Sequence, residues 1–178
     1  MSILAIRLYP DPVLRERSQE VTQFDATLDK LVADMIETMH AAPGVGLAAP
    51  QVGISRRVAV VDVSVGKNPE DLHVLINPEL TLKSGADVDV EGCLSLPGIT
   101  DKVERPVRIQ VKALDRQGQP YELEAEGFLA RAVCHEIDHL NGVLFTDHLR
   151  GLRKERARRQ LKRLASGAPV EAAVEAPV

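Results

Sequence analysis

The sequence predicts an α+β domain in which antiparallel strands surround one central helix, and three observations carry that prediction. Short apolar runs are joined by hairpin-length turns; two longer stretches repeat their apolar residues at helical spacing; and the second of these follows the strands instead of alternating with them. A doubly wound parallel sheet would need a crossover helix between successive strands, and none can be read there.

The elements follow in order. Tyr9-Pro10-Asp11-Pro12 is a cluster of turn signals. Residues 25–42 then place Leu28, Leu31, Val32, Met35, Ile36 and Met39 on one helical face. Pro43 and Gly44 end that helix, because proline disfavours helical backbone before it. His40, in the last turn, reads as a surface histidine compatible with the helix dipole. Strands are expected over 57–63, 74–77, 80–83, 107–114 and 121–126, the last two joined at Gln117-Gly118. Residues 127–141 return to helical period through Phe128, Leu129, Ala132, Val133, Ile137 and Leu140, and Asn141-Gly142 supplies a stop. The expected organisation is one folded domain over 1–151, a basic helix over 149–165, and a disordered Ala/Pro/Glu/Val tail over 166–178.

A length of 178 residues suits one domain, and a net charge of -4 gives no global attraction to nucleic acid or anionic lipid. No DNA partner and no membrane partner are therefore expected. Two cysteines and a start without a basic flank and long apolar run suggest reduced thiols and a cytoplasmic protein. With no Trp and five other aromatic residues (two Tyr, three Phe), base stacking is a poor mode of binding for this chain.

The chemistry concentrates in residues 134–142, CHEIDHLNG. On a helix, positions four apart share a face, so His135 and His139 can aim ring nitrogens at one ion while Glu136 stands beside it. Asp138 points away from that face and reads as a supporting group. A third ligand is needed. The extended metalloprotease pattern would put histidine at position 145, which is Phe, and His148 reads as a surface residue. Cys93, between glycine-flanked predicted strands, is the better candidate: a thiolate and two imidazoles would leave a coordination position open for water. The bland reading of Cys93 is a small buried hydrophobe. Cys134 projects about 100 degrees from His135 and reads as core.

A third segment, GVGLAAPQ at 44–51, is too apolar for a phosphate loop. Its glycines suit close approach of a ligand, and the Gln51 amide suits an oxyanion.

Together, GVGLAAPQ at 44–51, EGCLS at 91–95 and HEIDHLNG at 135–142 resemble the three motifs of the peptide deformylases, in order, over roughly residues 2–151. Two departures are visible: Cys134 stands where glutamine is frequent in the family, and Gly98-Ile99-Thr100-Asp101 stands where many members have an arginine. The resemblance implies a deformylase-like fold and removal of the formyl group from N-terminal formylmethionine of new polypeptides. It implies that Cys93, His135 and His139 bind a divalent metal, with Fe(2+) expected and Zn(2+), Ni(2+) or Co(2+) able to substitute. Glu136 would act as general base, while the Gln51 amide and the Leu94 backbone N–H would hold the oxyanion. Substrate would lie along Gly44, Val45, Gly46 and Leu47 and against Glu91 of the EGCLS segment, its methionine side chain in a pocket bordered by Val133 and Ile137.

The helix over 149–165 carries Arg150, Arg153, Lys154, Arg156, Arg158, Arg159, Lys162 and Arg163 against one acid, Glu155. The resemblance implies that it docks on the ribosome near the nascent-chain exit. A monomer is expected. Two other readings share the helix motif: a peptidase acting on unblocked peptides, and a closed structural metal site with a fourth protein ligand.

Overall fold

The computed structural model describes residues 2–168. Its first helix, α1 (Ala26–Ala41), starts where Asp25 accepts hydrogen bonds from the N–H groups of Thr27 and Leu28. Such a cap contributes about 1 kcal/mol. The chain then enters β1 (Gly46–Ala48), a short 3₁₀ turn (Ala49–Val52) that carries Gln51, and β2 (Val58–Asp62). β3 (Leu72–Ser84), β4 (Asp87–Gly92), β5 (Thr100–Arg105), β6 (Arg108–Leu114) and β7 (Pro120–Glu126) follow, before α2 (Gly127–Leu140), a 3₁₀ turn (Phe145–His148) and α3 (Gly151–Ala165). The α+β expectation holds.

Five strands form one antiparallel sheet in the order β1-β2-β3-β6-β7, and β4 pairs with β5 as a separate hairpin. β1 is therefore an edge strand, with β2 its one partner among the described residues. The sequence reading missed β1, β4 and β5. Three residues are too few to show alternation, and SGADVDVEG is rich in residues with poor strand propensity. It also split β3 in two at Asn77-Pro78, where the structure keeps one strand with register shifts and Asn77 at φ 49°. The Asn77 side chain holds Val21 there, accepting from its N–H at 2.8 Å and donating to its carbonyl at 2.9 Å.

β2 is buried on both faces, which explains its unbroken apolar run VAVVD. Ala59 and Val61 face α2 together with Val111, Leu123, Val133 and Leu140, whereas Val58 and Val60 face α1 with Leu28, Met35 and Met39. A third cluster joins Leu96, Ile99 and Val103 to Phe145, Leu149, Ala157 and Leu161. α3 is thus anchored to the segment just after Cys93 by Ala157 and Leu161. α2 stops at Gly142, whose φ of +72° suits glycine and whose added Cβ would lie 2.5 Å from the Arg15 carbonyl oxygen. Of the tail expected to be disordered, residues 169–178 lie outside the described residues. No described helix is long and apolar enough to cross a membrane.

Candidate metal centre and active-site cleft

Helix spacing and strand pairing bring the three proposed ligands together. α2 presents His135 and His139 on one side, their ring centroids 5.0 Å apart, and Cys93 follows the end of β4. The donor atoms of Cys93, His135 and His139 all lie within 4.8 Å of one another, the one such group of three among the described residues. Cys93 Sγ is 3.2 Å from His139 Nε2. Metal–ligand distances of about 2.0–2.3 Å fit a single ion inside that triangle. A thiolate and two imidazoles, without a fourth protein ligand among the described residues, make an open set rather than a closed structural one.

His135 and Cys93 are each held by a neighbouring side chain, whereas His139 Nδ1 has no hydrogen-bond partner among the described residues. His135 Nδ1 lies 3.0 Å from Glu91 Oε2, which leaves Nε2 for the ion. Burial alone would favour a neutral Glu91, yet hydrogen bonds from Arg105 and His135 hold its carboxyl far below the usual range. Gln51 is buried; its Oε1 accepts from Ala48 N–H at 2.8 Å, so Nε2 is aimed at Cys93 Sγ at 3.6 Å and Ser95 Oγ at 3.3 Å. Glu136 is 4% exposed, and its Oε2 has no hydrogen-bond partner among the described residues. Burial pushes its carboxyl up to about 7, the range of a proton acceptor that works near neutrality. This carboxylate lies against the Gly46 backbone: a Cβ there would overlap Oε1 and sit 2.8 Å from Cδ. A side chain at the second glycine of GVG would therefore collide with the Glu136 carboxylate.

The family model described as polypeptide deformylase matches residues 3–155. The chain belongs to the polypeptide deformylase family. It is 49% identical to a peptide deformylase of Thermodesulfovibrio yellowstonii over 91% of this chain and 98% of the relative. A second relative, from Alkalilimnicola ehrlichii, is 51% identical over 92% of each. Among solved structures, a peptide deformylase from Legionella pneumophila superimposes with a TM-score of 0.85 at 46% identity, covering 94% of this chain and all (100%) of that one.

Beside the three ligands runs a cleft of about 470 Å³. One wall is the β1 edge with Gly44, Val45 and Gly46; the other is Val90, Gly92, Leu94 and Gly98; Phe128, Ala132 and Glu136 come from α2. The expected pocket roles of Val133 and Ile137 do not hold. Val133 is fully buried in the core, and Ile137 faces a different cavity with Cys134 and Asp138, because the helix rotation that aims His135 inward turns both away. The cleft side of α2 is instead Phe128 and Ala132. Leu47 buries its side chain under α1, and its backbone forms part of the β1 edge, consistent with the expected main-chain pairing there. Glu91 lines the cleft, and both its oxygens are engaged by Arg105, Arg131 and His135.

Arg105 and Arg131 escaped the sequence reading. Both are buried, and Arg131 donates to Glu91 Oε1 at 2.9 Å and the Val103 carbonyl at 2.8 Å. A charge inside the apolar face of the motif helix was the available signal. His40, expected at the surface, is 2.7 Å from the buried carboxylate of Asp62. Cys134 is core as expected, and burial pushes its thiol up to about 11. Iodoacetamide at pH 8 should consequently modify Cys93 alone in folded protein stripped of metal, and neither thiol once metal is restored. Mass analysis checks this; labelling of Cys134 under native conditions would contradict the packing described.

Proposed function

We propose that this chain hydrolyses the N-formyl group of N-formylmethionyl peptides, releasing formate and a free amine. The observation that carries the reading is the convergence of Cys93, His135 and His139 with Glu136 and Gln51 in a cleft beside the β1 edge, which pairs with no second strand among the described residues, in a chain of this family. A divalent ion held by Cys93, His135 and His139 would supply a Lewis acid and acidify water at its open position.

The chain's own groups do the rest. Glu136 takes the proton of the attacking water and returns it to the departing amine nitrogen. The Gln51 amide, its orientation fixed by Ala48, and the Leu94 N–H stabilise the negative oxygen formed on the formyl carbon. A formyl carbon carries only hydrogen beyond its carbonyl, so it reaches a floor where an acetyl methyl would collide. The peptide lies extended along Gly44–Leu47 backbone, which reads main chain and tolerates varied sequence. Its methionine side chain enters the apolar cleft between Val90, Phe128 and Ala132. Product analysis on formyl-Met-Ala-Ser and unblocked Met-Ala-Ser tests the reading: only the formyl group is lost, whereas cleavage of peptide bonds in either would favour a peptidase.

Fe(2+) is the proposed working ion, on the family resemblance; the mixed sulfur and nitrogen donors also suit Zn(2+), Ni(2+) and Co(2+). Metal analysis of protein purified without oxygen decides among them. Residues 1–151 constitute the catalytic domain, acting as a cytoplasmic monomer. The basic helix α3 is the proposed ribosome contact: Arg156 is spent on Asp101 at 2.8 Å, but Arg159 and Lys162 are exposed on it and Arg150 is exposed just before it. Deleting the helix would also remove Ala157 and Leu161 from the core. The cleaner variant is Arg159→Glu with Lys162→Glu, which should reduce ribosome co-sedimentation, most strongly at low salt, while turnover of a short peptide is unchanged. Unaltered co-sedimentation would remove the ribosome from the account.

A further inference from the structure

The proposed metal ligands come from two places, Cys93 in the loop joining β4 to β5 and the histidines on α2, and a charged chain crosses the same gap. Arg105 of β5 makes a two-point contact with Glu91, Nε to Oε1 at 2.8 Å and Nη2 to Oε2 at 3.0 Å. Its third nitrogen, Nη1, donates to Asp138 Oδ2 on α2 at 2.6 Å. Asp138 Oδ2 is in turn 2.6 Å from His148 Nε2, in the 3₁₀ turn before α3, and His148 Nε2 is 3.3 Å from Arg105 Nη1. Since Asp138 can only accept as a carboxylate, the short contact requires His148 Nε2 to carry the hydrogen and donate it.

We propose that His148 is a positioning residue for the metal centre, acting through Asp138 and Arg105 on Glu91 and so on His135. Arg105 is 5% exposed and must be shared between Glu91 and Asp138; Asp138, with its side chain 20% exposed, must hold Arg105 from the far side. A donor on Asp138 Oδ2 fixes that carboxylate's rotation, which fixes where Nη1 lies and hence the plane of the guanidinium facing Glu91. Glu91 Oε2 then meets His135 Nδ1 at a set angle, and the ring's Nε2 is aimed accordingly. His148 itself is 39% exposed, so solvent competes for its hydrogen bond and its contribution is smaller than that of Asp138.

This rests on the metal-centre reading, and the test keeps the two apart by following the ion rather than turnover. Protein loaded with Co(2+) is mixed with excess chelator, and release is followed through the cobalt absorption for wild type, His148→Ala, His148→Gln, Asp138→Ala and the Asp138→Ala, His148→Ala pair. Thermal unfolding of each metal-free protein runs alongside. His148→Ala should release metal about three- to tenfold faster, below the roughly 10- to 100-fold loss of metal affinity expected when a direct partner of a ligand is removed. His148→Gln, which keeps a donor, should restore much of the wild-type rate, and the pair should release no faster than Asp138→Ala alone. Release from His148→Ala at the wild-type rate, or an effect that adds in full to that of Asp138→Ala, would overturn the proposal. Wild-type protein that takes up no cobalt would overturn the metal reading and this inference with it.

Discussion

Glu136→Ala should keep its metal and lose formate release by about 10²- to 10⁴-fold, the contribution of a positioned proton acceptor. The expectation comes from placement. Glu136 lies between the two histidines in sequence, is buried, and has Oε2 unengaged among the described residues, the placement the proposed proton acceptor needs, outside the ion-pair cluster behind His135. Removing it relieves burial of a carboxyl pushed up to about 7, so the variant should fold at least as stably as wild type. Metal content, unfolding midpoint and turnover measured on one preparation separate the two roles. Metal loss in this variant would show Glu136 to be a ligand and contradict the assignment.

Gly46→Ala is the second large effect, and it is a clash by construction. The new methyl would overlap Glu136 Oε1, and the Glu136 side chain has little room to yield because it is packed beside His135 and the β1 backbone. Overpacking of this kind costs about 1–3 kcal/mol, and the displaced base should lower turnover about 100-fold or more. The pair Gly46→Ala with Glu136→Ala provides the control. With the carboxylate gone the methyl has space, so the double variant should recover the stability that Gly46→Ala loses. Denaturant midpoints of the four proteins close that cycle; a stability loss that persists without Glu136 would place the cost of Gly46→Ala elsewhere.

The helical periods around Leu28 to Met39 and Phe128 to Leu140 were legible because each buries one face against a sheet, leaving an apolar stripe in the sequence. β4 was not, because its partner is one strand and its exposed face is Asp-rich. At the site, Cys93, His135, Glu136 and His139 could be read from residue type and helix spacing. The supporting roles of Glu91 and Arg105 could not: they depend on a hairpin folding across α2, a tertiary pairing that no local pattern encodes, and Arg131 left only the signal of a charge within the apolar face of the motif helix. The error over Val133 and Ile137 had a different origin. Both belong to the motif helix, but aiming His135 at Cys93 fixes the helix rotation, and that rotation became visible only once the strand end carrying Cys93 was placed.

The most direct test of the account is formate release from formyl-Met-Ala-Ser by Fe(2+)-loaded protein prepared without oxygen, beside acetyl-Met-Ala-Ser and a Cys93→Ala variant. The account predicts formate from wild type with the formyl peptide, no acetate from the acetyl peptide, and neither metal retention nor turnover in Cys93→Ala. Equal turnover of both blocked peptides, or a Cys93→Ala protein that keeps its metal and its activity, would contradict it.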